Sequence, residues 1–142
     1  MRLFVDANVL VSVLNKEYPL FSYSSRILSL AGSKQFQLYT SPICLAIAFY
    51  FAEKKYKARN VKEKIGLLYD HINIAGVTKV SVQNALKDDL VLDFEDGLEY
   101  YAAVENKCDC IITEDRNDFY FSKIEVLTSE FFFEKYMIKK KR

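Results

Sequence analysis

Short β-prone runs recur along this chain with helix-length segments between them, and that alternation constrains the fold more than any other feature. The runs are Arg2 to Val5 (RLFV), Phe36 to Thr40 (FQLYT), Ile72 to Val77 (INIAGV), Cys108 to Thr113 (CDCIIT) and Lys123 to Leu127 (KIEVL). Helical patterning fills the gaps: Asn8 to Leu14, Tyr23 to Ala31 closed by Gly32, Val61 to His71, SVQNALKDD capped by Thr78 or Ser81, LDFEDGLEYYAAVENK, and a closing SEFFFEKYM. Ser41 as cap and Pro42 in the first turn open a long helix, ICLAIAFYFAEKKYKA, whose early turns are apolar nearly all round, which predicts a largely buried helix. In the LDFEDGLEYYAAVENK segment, Leu98, Tyr101 and Ala102 supply the apolar face. Strands alternating with helices predict an α/β fold with a central, mostly parallel sheet flanked by helices.

At 142 residues the chain suits a single domain spanning 1–142, with a basic tail from about Lys139. Hydrophobic residues make up 51% and there are only four glycines and two prolines, which excludes disordered, collagen-like and repeat architectures. No apolar run approaches the ~20 residues that cross a bilayer, and no secretory pattern follows Met1, so the expected location is cytoplasmic, with no membrane partner. Cys44, Cys108 and Cys110 cannot all pair within the chain and lack companions for a zinc site; they read as reduced, buried small residues. The net charge of +1 does not by itself advertise nucleic-acid binding. Its distribution is more telling. Basic residues gather in Lys54 to Arg59 and Lys139 to Arg142, and acids in Asp88 to Glu99. A solvated helix face and a frayed tail explain the basic groups as well as a phosphate-attracting rim beside an acidic pocket does.

Ligand sites in parallel sheets lie beyond the carboxyl ends of strands. Asp6 follows the first strand there, and Asp115 follows CIIT after Glu114 and brings a second acid to that edge. Glu95 and Asp96 stand at the start of a helix, where the dipole favours negative charge and a carboxylate can enter the same crevice. Singly, each acid has a plain structural role: Asp6 as a helix cap, Asp96 as a first-turn charge, Asp115 as a turn former. Together they predict a convergent cluster, which a hard divalent cation, Mg²⁺ or Mn²⁺, would neutralise; the chemistry of such a site is phosphodiester hydrolysis. Other chemistries lack their parts. The only histidine, His71, has no nucleophile partner, and there is no GxGxxG or GxxxxGK[ST] loop. A response-regulator receiver needs paired acids after its first strand, an aspartate after its third and a lysine after its fifth, whereas here Asp6 stands alone, INIAG has no aspartate and Lys123 precedes its strand.

FVDANVL at the start, TSPICLAIAFYF in the first third, DFEDGLEYYAAVENKCDCIITEDRNDF toward the end and the closing IEVLTSEFF resemble the PIN-domain ribonucleases, the family that includes the toxins of VapBC toxin–antitoxin pairs. The resemblance spans nearly the whole chain and is most specific in its last third. It implies a metal-dependent endoribonuclease, a toxin neutralised by a cognate antitoxin, with RNA as substrate and a homodimeric state. Asp6, Asp96 and Asp115 match the family's metal-binding acids. Asn8 and Thr113 match its small polar partners, with Glu95, Asp118 and Asp93 in reserve. The family pattern also places a glutamate in the long helix after strand two, in a phrase like LAEVFY; this chain reads Leu45-Ala46-Ile47-Ala48-Phe49-Tyr50, and the next acid, Glu53, lies nearly two turns on. Either Glu95 or Asp118 compensates for Ile47, or the site uses fewer protein ligands, or activity is weak. The alternative is a catalytically weakened PIN-like binding or interaction module. The 15% aromatic content suits a Tyr-rich core, protein contacts or RNA stacking equally.

Overall fold

Leu3, Phe4 and Val5 are wholly buried, as are Ile111 and Ile112, the pattern of central strands covered on both faces. A computed structural model describes residues 1–138, and the basic tail at 139–142 lies outside the described residues. Its sheet has five strands, β1 (Arg2–Val5), β2 (Gln37–Thr40), β3 (Asn73–Ile74), β4 (Cys110–Ile112) and β5 (Glu125–Leu127), in the order β3-β2-β1-β4-β5. Every pairing is parallel, with Leu3 opposite Leu38 and Cys110, and Val5 opposite Ile112. The expectation of a mostly parallel sheet is met by one that is wholly parallel.

The helices are α1 (Ala7–Leu14), α2 (Phe21–Ser29), α3 (Pro42–Glu53), α4 (Ala58–Tyr69), α5 (Lys79–Lys87), α6 (Phe94–Glu105) and α7 (Ser129–Phe133). Thr78 caps α5, and Ser81 completes a reciprocal capping box, so both residues named from sequence take part. Among the described residues no helix is long and apolar enough to cross a membrane.

Two expectations are corrected. The long helix after β2 stops at Glu53, and a separate helix begins at Ala58. The amides of Lys55 and Tyr56 both bond to Ala52 O, which closes α3 where the lysine-rich stretch has no apolar face to extend it. Nor is α3 largely buried: only Cys44, Ala48 and Ala52 are, a stripe of small residues four apart that lets α3 pack closely against α1. Tyr50 and Phe51 stand outside that stripe and are exposed.

The strand order reverses at the centre of the sheet, where β1 leads outward through β2 to β3 and the chain returns to place β4 on the other side of β1. Ends of adjacent strands whose connections leave in opposite directions open a crevice between them. Asp6 immediately follows β1 and Thr113 immediately follows β4, so both acidic loops start at this crevice.

Candidate metal centre

Asp6 is the N-cap of α1, and its Oδ1 accepts the Ala7 amide at 2.7 Å. Its other oxygen accepts the Thr113 hydroxyl at 2.8 Å. That hydroxyl in turn accepts Asn8 Nδ2 at 3.0 Å and the Asp115 amide at 3.1 Å, while Asn8 Oδ1 accepts the Glu114 amide at 3.1 Å. With its one proton and both lone pairs engaged, Thr113 ties the β1 and β4 loops into one rigid unit. Asn8 and Thr113 therefore sit beside the first acid.

Two further caps deliver the other side chains. Ser41 Oγ accepts the Cys44 amide at 3.1 Å, which sets the first turn of α3 and brings the Cys44 thiol to 4.0 Å from Asp6 Oδ1. Asp93 caps α6 by accepting the Asp96 amide at 3.2 Å, so Asp96 lies in the first turn of that helix. A cleft of about 400 Å³ is lined by Asp6, Asn8, Ile47, Phe51, Glu95, Asp96, Glu99, Glu114 and Asp118, among others. Asp115 instead lines a neighbouring cleft of about 650 Å³ with Arg116 and Tyr120, and Glu114 borders both. The Asp115 side chain reaches the cluster through a hydrogen bond with Asp118. Glu114 is committed elsewhere, its carboxylate accepting both the amide and the hydroxyl of Ser129 at the start of α7.

The electrostatics report the crowding. Burial, followed by Asp93, Asp118, Asp6 and Glu95, pushes the Asp96 carboxyl up to about 7. Burial and the neighbouring acids also raise Glu95 and Asp118. Among the described residues, then, the acids from β1, α6 and the β4 loop sense one another as one cluster.

Sequence reasoning missed Glu99. It lies one turn beyond Asp96 on α6 and is 1% exposed. The buried face of α6 is Gly97, Glu99, Tyr100, Ala102 and Ala103, rotated from the expected Leu98, Tyr101 and Ala102 because hydropathy patterning counts a glutamate as outward-facing. Asp96 and Glu99 stand three apart, the spacing that puts two side chains on one helix face, and this was the available signal. Ligand atoms of Asp6, Cys44 and Glu99 lie within 4.8 Å of one another. Glu99 Oε2 is buried with no hydrogen-bond partner. A buried carboxylate oxygen is satisfied by a proton, a hydrogen-bond donor such as water, or a cation. Burial and then the charge of Asp6 hold the Glu99 proton up to about 10, and burial together with Glu99 and Asp6 raises Cys44 well above an ordinary thiol. All three cysteines are free and buried, as expected. The donor set fits a divalent cation: carboxylate oxygens from separate elements, held rigidly, one of them without a partner.

A sequence profile of the PIN domain matches residues 2–117. The chain belongs to the PIN-domain family. This PIN domain is 30% identical over 142 residues to Ribonuclease VapC1 of Aquifex aeolicus (strain VF5), covering 95% of each chain. VapBC2 from Rickettsia felis, solved bound to a promoter DNA fragment, superposes with a TM-score of 0.69 at 19% identity, covering 89% of this chain and 97% of that one. VapC20 of Mycobacterium tuberculosis, described as a sarcin-ricin loop cleaving toxin, gives 0.68 at 16% identity, covering 87% and 98%. VapBC-1 from nontypeable Haemophilus influenzae gives 0.70 at 15%, covering 92% and 99%.

Proposed function

We propose that this PIN domain is a metal-dependent endoribonuclease that hydrolyses RNA phosphodiester bonds, and a toxin held inactive by a cognate antitoxin. One observation carries the reading: acids remote in sequence line a single cleft at the switch point of the sheet, where burial and neighbouring acids raise the carboxyls of Glu95, Asp96, Glu99 and Asp118. The 30% identity with Ribonuclease VapC1 along 95% of the chain supports the same substrate class. In this proposal Asp6, Asp96 and Asp115 hold Mg²⁺ or Mn²⁺, with Glu95 and Asp118 close enough to share the task. A hard divalent cation bound there supplies Lewis-acid stabilisation of the phosphate and lowers the pKa of a water.

The chain's own residues do the rest. Thr113 and Asn8 hold the Asp6 carboxylate in one orientation through their bonds across the two loops. The α6 N-terminus presents Asp96 beside it. Phe51 borders the cleft, and Lys54 packs 4.2 Å from the Tyr50 ring at the same end of α3, so the basic cluster Lys54 to Arg59 leads away from the cleft as a seat for RNA phosphates. We further propose a homodimer that acts in the cytoplasm, by the family resemblance.

The test is cleavage of structured RNAs by the full chain with Mg²⁺ or Mn²⁺ and with EDTA. Asp6→Asn and Asp96→Asn are each expected to lower the rate by about 100-fold or more, the scale of lost electrostatic catalysis. Unchanged cleavage in both variants would remove these acids from the mechanism. Ile47, an apolar residue in the cleft wall, favours the second reading, a catalytically weakened binding module; metal-independent RNA binding without cleavage by the wild type would select it.

A further inference from the structure

Ile47 and Glu99 line the same cleft from different helices, α3 and α6. The α3 side of the cleft thus offers an aliphatic wall where a ligand acid is missing, and the α6 side offers a buried carboxyl that is hydrogen-bonded to Asp6 and Cys44 and has one oxygen, Oε2, without a partner. Ligand atoms of Glu99 and Asp6 come within 4.8 Å, close enough for one ion to bridge them, and Asp96 lies one helical turn away on the same helix. A glutamate on a helix face packed into the core is costly to bury without a counter-charge, so its position there calls for a chemical role. Glu99 is 1% exposed, and among the described residues its Oε2 has no donor pointing at it.

We propose that Glu99 is a direct ligand of the divalent cation and supplies, from α6, the carboxylate that Ile47 leaves out of α3. The inference rests on the metal-dependent reading above and deepens it by assigning one of the ligands. Asp6 and Glu99 then grip the ion from the deep end of the cleft, and Asp96 closes it toward the opening. Cys44, on the third side, serves as a neutral wall.

The experiment is Mn²⁺ binding to the metal-free full chain by titration calorimetry, with no RNA present, for wild type, Asp6→Asn, Glu99→Gln and the double variant Ile47→Glu/Glu99→Gln. The expected result is binding by wild type, loss in Asp6→Asn, at least tenfold weaker binding in Glu99→Gln, and partial recovery in the double variant. Melting in EDTA checks that each variant is folded. Anomalous scattering from Mn²⁺-soaked wild-type crystals gives a reading that needs no variant: the ion is expected within coordination distance of both Asp6 and Glu99. Wild-type affinity in Glu99→Gln, or an ion that contacts Asp6 and Asp96 but not Glu99, overturns this inference and leaves the proposed nuclease site standing. A wild type that binds no Mn²⁺ overturns both.

Discussion

Replacing Glu99 by Gln is expected to stabilise the metal-free protein and to remove its stabilisation by metal. In the folded chain Glu99 keeps its proton to about 10, against 4.5 for an unperturbed glutamate. An acid raised on folding is neutral in both states below 4.5; above that pH the unfolded chain releases the proton and the folded chain does not, so stability falls as pH rises until the folded group also ionises. The slope in that window is about 1.4 kcal/mol per pH unit, and by about pH 7 the accumulated cost is about 3 kcal/mol. Glutamine is nearly isosteric with the neutral acid and has nothing to ionise. In EDTA at about pH 7 the variant should therefore be more stable than wild type by up to about 3 kcal/mol, with the gap closing at about pH 4.5. With saturating Mn²⁺ the order should reverse, because wild type gains by mass action and the variant gains little. Urea denaturation of both proteins at several pH values, with EDTA and with Mn²⁺, measures each quantity. A difference between the two proteins that does not change from about pH 5 to about pH 7 in EDTA would show that Glu99 is not held neutral by the fold, and the reasoning would fail.

Asp96, pushed up to about 7, must give up its proton to ligate, so Mn²⁺ affinity measured by calorimetry should climb steeply below about pH 7 and less steeply above it; a flat profile would contradict this. Thr113→Val removes the hydroxyl that donates to Asp6 and accepts from Asn8 and the Asp115 amide, and should cost about 2–4 kcal/mol in chemical denaturation as well as RNA cleavage. Gly97→Ala places a Cβ 2.5 Å from Val91 Cγ1 and 3.2 Å from Ala85 Cβ, and overpacking should outweigh the gain in helix propensity, for a net loss of about 1–2 kcal/mol in the same assay. A variant as stable as wild type would show that Val91 yields freely.

Local chemistry made much of this protein legible in its sequence. The strands RLFV and CDCIIT, the caps Ser41 and Thr78, and acids placed after strands or at helix starts each follow from short-range rules of propensity and capping. The topological rule that sites open beyond strand ends then pointed to Asp6, Asp96 and Asp115, and the family resemblance added Asn8 and Thr113. The stop of α3 at Glu53 and its single buried stripe were not legible, because which apolar face is covered depends on where α1 lies.

Glu99 marks the limit. A glutamate in an amphipathic segment reads as solvent-facing, since an isolated helix has no reason to bury it, and only the parallel sheet brings Asp6 from β1 against the inner face of α6. The same holds for Asp115 and Asp118, three apart in one loop: the sequence names both, and the fold alone sends Asp118 into the cleft with Asp96 while Asp115 faces its neighbour. What the residues determine by themselves is which groups carry charge and where the backbone turns; how near those charges come is decided by long-range packing, through distances that no local pattern contains.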